Sequence, residues 1–158
     1  MSLKASLEQF RTERRALEEK IKEAANVVFT NEVQDLFTKY PDLNSFSWKQ
    51  YTPYFNDGST CTFNAHTDDV SVEFLGVPTN EDKDDSTYSR FSIEHKRKTG
   101  KNWNDTPFVD HPVNDAALDI IAFLRQFEGD DLLGFFGDHV QVTVHRDGRV
   151  EQDEYNHE

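Results

Sequence analysis

Three pairs of neighbours, Glu94-His95, Asp110-His111 and Asp138-His139, carry the residue types of general acid–base chemistry. Adjacency alone does not make a dyad, because neighbours on a strand point to opposite faces. His66-Thr67-Asp68-Asp69, Asp110-His111 and His139 offer metal-ligand types, yet no two histidines stand one helical turn apart and the single Cys61 has no partner. Asn80-Glu81-Asp82-Lys83-Asp84-Asp85 is rich in oxygen ligands but lacks the Gly and the distal Glu of a calcium loop. Ser59, Ser92 and Cys61 lie outside any nucleophile elbow. The pattern therefore names no catalytic residue, no metal site and no cofactor. An enzyme would need His66, His95 or His139 to converge with carboxylates in a pocket. That arrangement, a small metal-dependent hydrolase or nucleotide-binding enzyme, is the first alternative reading.

Lys96-Arg97-Lys98 with Lys101 and Trp103 is the basic cluster, and it mixes cations with an aromatic ring as single-strand binders do. Thr99-Gly100-Lys101 echoes a phosphate loop without the Gly-rich lead or the following Ser/Thr. The chain as a whole carries a net charge of -13. Such a field repels nucleic acid and anionic membrane and favours a partner with a basic surface. The expectation for the basic run is a solvated hairpin turn, or pairing with the acidic loop at 81–85. Residues 1–25 are nearly balanced, with six basic side chains against five Glu, so the negative charge resides in the rest and most densely at the C-terminal end.

The densest chemistry is aromatic. Residues 46–63 read FSWKQYTPYFNDGSTCTF, with Phe46, Trp48, Tyr51, Tyr54 and Phe55 in one short stretch. Asn56-Asp57-Gly58 divides the segment like a hairpin turn. Alternation puts Trp48 and Tyr54 on one face and Tyr51 and Phe55 on the other. One buried face cannot absorb both sets, so Trp48, Tyr51, Tyr54 and Phe55 are the candidate partner-binding residues. Aliphatic residues are few beside thirteen Phe, so the core is expected to lean on rings.

These residues need a scaffold, and the periodicities supply one. Leu3, Leu7, Phe10, Leu17, Ile21, Ala24 and Val28 step by four and three, with Arg14 filling one slot, which predicts a helix over 3–28. That helix either packs along its own sheet, the expectation for a domain of this size, or pairs with another helix as a structural homodimer. A second helix is predicted over Asn31–Tyr40, capped by Thr30 or Asn31 and stopped by Pro41. Strands are predicted over 46–55 and 59–67. Asp68-Asp69 reads as a turn before a strand over 70–74, and another strand is predicted over 88–95. Pro53 marks the first strand as an edge or a bulge. A helix over Val113–Phe127 starts at Asn114 or Asp115 and ends at Gly129, a short helical turn follows over 130–136, and Asp147-Gly148 joins a C-terminal hairpin. Cys61 cannot form an internal disulfide, and neither a signal region nor a membrane-length apolar run is present, so a cytoplasmic protein is expected.

Trp48, the run Gln50-Tyr51-Thr52-Pro53-Tyr54-Phe55-Asn56-Asp57-Gly58, and then Cys61 and Phe63 form a pattern. So does the ending Phe136-Gly137-Asp138-His139-Val140-Gln141-Val142-Thr143-Val144 with Arg146-Asp147-Gly148 and Glu154-Tyr155. Together they resemble small uncharacterised proteins of tailed bacteriophages, over roughly a third of the chain. The resemblance implies a phage setting and host cytoplasm, and supplies no site residues. The expected whole is a single α+β domain over 1–158. Its antiparallel sheet of hairpins is covered on one face by helices from an N-terminal segment at 3–40 and from 113–127. The expected function is a non-enzymatic accessory factor that binds a host or phage protein.

Overall fold

The computed structural model describes residues 2–52, 62–77 and 87–155. It is an α+β fold in which one layer of helices covers one face of an antiparallel sheet. The elements are α1 (Leu3–Lys39), β1 (Leu43–Tyr51), β2 (Asn64–Phe74), β3 (Thr87–Ser89), α2 (Arg90–Thr99), α3 (Pro112–Leu124), α4 (Gly129–Phe136), β4 (Val140–His145) and β5 (Val150–Glu154). The strands run in the order β3-β2-β1-β4-β5. β1 is thus a central strand, not an edge, and Pro53 lies outside the described residues, as do the Asn56-Asp57-Gly58 turn and the acidic loop at 81–85.

The two predicted N-terminal helices are one. Thr30 was expected to cap a new helix, but its hydroxyl donates to the Asn26 carbonyl at 3.0 Å, a bond available only inside a continuing helix. No Gly or Pro interrupts the run, and Ser2 caps it by accepting from the Ala5 amide. Only the last third of α1 joins the core, through Phe29, Val33, Leu36 and Phe37. The expectation that residues 3–28 pack along the sheet is overturned. They are exposed apart from half-buried Ser6 and Ala25, because the sheet's covered face is filled by α3, α4 and the end of α1.

Two strand assignments also change. Asp68-Asp69 does not turn the chain but sits in a wide bulge of a continuous β2: between the pairs Ser47–Ser71 and Lys49–His66, β1 advances two residues and β2 five. The strand predicted over 88–95 stops at Ser89, whose hydroxyl accepts from the Ser92 amide and starts α2. Gly100, at φ 70°, ends that helix in the left-handed region. Lys96, Arg97 and Lys98 therefore form a helix C-terminal turn rather than a hairpin, where cations complement the helix dipole. Arg97 donates to Asp110 at 2.7 Å and to Asp115 at 2.8 Å, tying α2 to the start of α3. That pairing, with a further bond from Asn114, holds the Asp110 carboxyl below its ordinary range although burial opposes it. α3 begins one residue before the predicted start, with Pro112 at its first turn and His111 Nδ1 accepting from the Val113 amide.

The core is aromatic, as the composition implied. Phe29 lies 5.2 Å from Phe123, 5.5 Å from Phe136, 5.6 Å from Phe127 and 6.5 Å from Trp48, centroid to centroid. Val142 and Val144 of β4 face this core, with Gln141, Thr143 and His145 on the other side, as the alternation predicted. The β4–β5 hairpin turns at Asp147-Gly148, with Gly148 at φ 90°.

The end of α1 is tied down by a polar contact. The Tyr40 hydroxyl donates to Asp119 of α3, and Lys39 Nζ reaches the same carboxylate at 2.7 Å. Burial first, then the hydrogen bond to Asp119, pushes the Tyr40 phenol up to about 12. Because the folded value exceeds the unfolded one, this contribution to stability is complete below about pH 10 and is lost as pH rises toward about 12. In an absorbance titration, Tyr40→Phe is expected to remove the last phenolate to form and to weaken the alkaline loss of stability. An unchanged late step would reject this assignment.

Candidate interaction surface

Strand register assigns every described sheet residue to a face, since directly paired residues share one. Phe46, Trp48 and Gln50 point into the helix layer. Ser45, Ser47, Lys49 and Tyr51 therefore point to the opposite face. Paired with them are Glu73, Ser71, His66 and Asn64 on β2 and His145, Thr143 and Gln141 on β4. Beyond β4 come Glu151 and Asp153. The described helices pack on the opposite face, that of Phe46 and Trp48.

At its centre Tyr51 stacks on His66, with centroids 4.3 Å apart and planes 24° from parallel. Tyr155 lies 5.4 Å from Tyr51, and Lys49 Nζ stands 4.6 Å from the Tyr155 ring centroid. These side chains line a cleft of about 430 Å³ with Ser47, Asp69, Ser71 and Gln141. Burial, and then the neighbouring Tyr155, raises the Tyr51 phenol above its ordinary value, so it presents a neutral hydroxyl at physiological pH. Asp69, Glu73, Glu151 and Asp153 stand on the same face with Lys49, which makes it net acidic.

The strand end beside the cluster is clamped. The Thr52 amide and hydroxyl both donate to Asp138, at 2.8 and 2.6 Å, and the His139 amide adds a third bond at 2.8 Å. Burial would raise the Asp138 carboxyl, but these donors outweigh it and hold it below the usual range.

The four aromatic candidates separate. Trp48 is 2% exposed and belongs to the core, so it is corrected from surface residue to packing residue. Tyr51 is half-buried on the face opposite the helices, while Tyr54 and Phe55 lie outside the described residues. Tyr155 and His66 complete the cluster and were missed as partners. Their signal was present only in pairing register, which joins Lys49 to His66 and brings the end of β5 alongside. A second aromatic set, Phe91, His95 and Trp103, sits on the outer side of α2, with His95 and Trp103 stacked 4.2 Å apart. Trp103 of the basic cluster is 59% exposed. The spacing of Phe91 and His95 would have shown this stack once the segment was recognised as a helix.

The histidines named for an enzyme lie on separate elements, with His66 and His139 both toward the Tyr51 end of the sheet. His66 is on β2, His95 on α2, and His139 precedes β4. Among the described residues no three of His, Cys, Asp and Glu group so as to hold a metal, and no helix is long and apolar enough to cross a membrane. The fold defines an α+β protein whose described helices all lie on one face of the sheet. No family model, curated protein or solved structure matches the chain.

Proposed function

We propose that this protein is a non-enzymatic, protein-binding accessory factor whose sheet face opposite the helices receives a partner with a basic surface. The observation that carries this reading is the Tyr51–His66–Tyr155 cluster on the face opposite the helix layer, with Asp69 lining its cleft and Glu73, Glu151 and Asp153 farther along the same face. Aromatic rings within a polar rim are the usual anchors of an interface. Arginine or lysine of the partner would lie over the tyrosine rings and meet the carboxylates of the same face. The phage resemblance would imply a host or phage protein as the partner, met in the cytoplasm of an infected bacterium.

Affinity capture from infected and uninfected lysates, run in parallel with Tyr51→Ala/Tyr155→Ala, tests this. The double variant is expected to lose a salt-sensitive partner while keeping its melting transition, since both rings lie outside the main core. Equal capture by the variant and the parent would end the assignment to this face.

A further inference from the structure

α1 is 37 residues long, and its first 26 stay outside the core, with Lys22, Glu23 and Asn26 lining a cleft beside Phe135 and Phe136 of α4 and Val150 of β5. At 1.5 Å per residue that arm is about 40 Å of helix with almost no tertiary support. Isolated helices draw most of their stability from a packed apolar face. The arm has such a face and exposes it: Phe10 is 65% exposed, Leu17 58% and Ile21 54%. Leu7, Arg14, Ile21 and Val28 hold the a positions of a heptad pattern, and Leu3, Phe10, Leu17 and Ala24 the d positions. This seam is centred about 115° around the helix from Phe29, Val33, Leu36 and Phe37, so it faces away from the core that those residues enter.

We propose that the seam pairs with the same seam of a second copy, as an antiparallel two-stranded coiled coil. The register sets Leu3 against Val28, Leu7 against Ala24, Phe10 against Ile21 and Arg14 against Leu17 of the second copy. Large residues then meet smaller ones in the outer layers, and the seam is used from end to end. It stops at Val28, one residue before Phe29 enters the core, so each partner helix ends where the other's domain begins.

Flanking charges select the direction. Antiparallel pairing in this register brings Glu13 beside Lys20 and Arg11 beside Glu18 of the second copy, each contact occurring twice. Neither Glu13 nor Lys20 has an oppositely charged residue four positions away on its own helix; Glu13 accepts from the uncharged Gln9 at 3.3 Å and Lys20 has Glu23 three positions on, so a bridge between helices competes with no i,i+4 ion pair. Parallel pairing would instead set Glu13 against Glu18 and stack the two Arg14 side chains in one layer. A polar residue at a single a position commonly specifies orientation in this way. Here Arg14 lies over Leu17 of the second copy and keeps its contact with its own Glu18 at 3.7 Å.

The inference rests on α1 and is independent of the sheet face that carries Tyr51. Sedimentation equilibrium of the full chain is expected to give twice the 18.3 kDa chain mass. Ile21→Glu is expected to give a monomer with an unchanged domain melt, because Ile21 is 54% exposed and is not part of the buried core. Glu13→Lys should raise the dimer dissociation constant roughly tenfold, and Glu13→Lys/Lys20→Glu should restore it. A monomer at every concentration overturns the proposal, as does a dimer insensitive to Ile21→Glu. Tighter association of Glu13→Lys would overturn the antiparallel direction, since that change relieves the parallel clash.

Discussion

Trp48→Ala is expected to lower the free energy of unfolding by about 3–5 kcal/mol. The indole is 2% exposed, with its centroid 5.5 Å from Phe136, 6.2 Å from Phe46 and 6.5 Å from Phe29. Truncation removes one of the largest buried surfaces in the domain and opens a cavity among three rings that pack against other elements and cannot all collapse into it. It also removes the indole N–H that donates to Gln50 Oε1 at 3.0 Å. Domains of this size hold only about 5–15 kcal/mol in total, so the variant should unfold at a much lower denaturant concentration. Trp48→Phe keeps most of the ring volume and should cost less. Equal stability of Trp48→Ala and the parent in urea would show that the ring is not packed as described.

The second large effect is at Gln50, a fully buried amide (0% exposed). Its Oε1 accepts from Trp48, and its Nε2 donates to the Leu132 carbonyl at 2.9 Å and the Gly137 carbonyl at 2.7 Å. One side chain thus satisfies three groups and joins central strand β1 to α4 and the turn after it. Gln50→Leu has similar volume and greater hydrophobicity, yet it leaves an indole N–H and two carbonyls without that partner. At about 1–3 kcal/mol per buried unsatisfied group, the cost should reach about 3 kcal/mol or more. Trp48→Phe combined with Gln50→Leu should cost less than the two single changes added together, because the phenyl ring has no N–H to strand. Strict additivity in that cycle would argue against the Trp48–Gln50 bond, and amide exchange in α4 would reveal any loosening of its attachment.

These two residues also show where sequence reading stops. Trp48 was legible as important but not as buried. Five aromatics in ten residues indicate excess ring area, and alternation sorts them into two faces, but which face the helices cover is settled by long-range packing. Gln50 gave no signal, because a glutamine between a lysine and a tyrosine looks like a solvated position. Its value depends on the Leu132 and Gly137 carbonyls, more than eighty residues away along the chain. α2 was missed for a local reason: Arg90-Phe91-Ser92-Ile93-Glu94-His95 alternates well enough for a strand, and the Ser89 cap and Gly100 terminator tipped it to helix.

The candidate site divides in the same way. Tyr51 was identifiable from aromatic density, whereas His66 and Tyr155 join it only through the β1–β2 bulge and the β4–β5 pairing. The α1 seam is the opposite case, since its heptad spacing is written wholly in local sequence and the structure added only that its apolar residues are exposed. The sequence by itself determined the α+β class, the aromatic core, the C-terminal hairpin and the apolar stripe of α1, because each follows from short periods and turn residues. Only the tertiary structure decided that Trp48 is core, that Tyr51 lies on the face away from the helices and that the arm of α1 stays outside the core. Those outcomes depend on how a finite helix layer is shared between two sheet faces and one long helix, and such competition for burial has no signature in neighbouring residues.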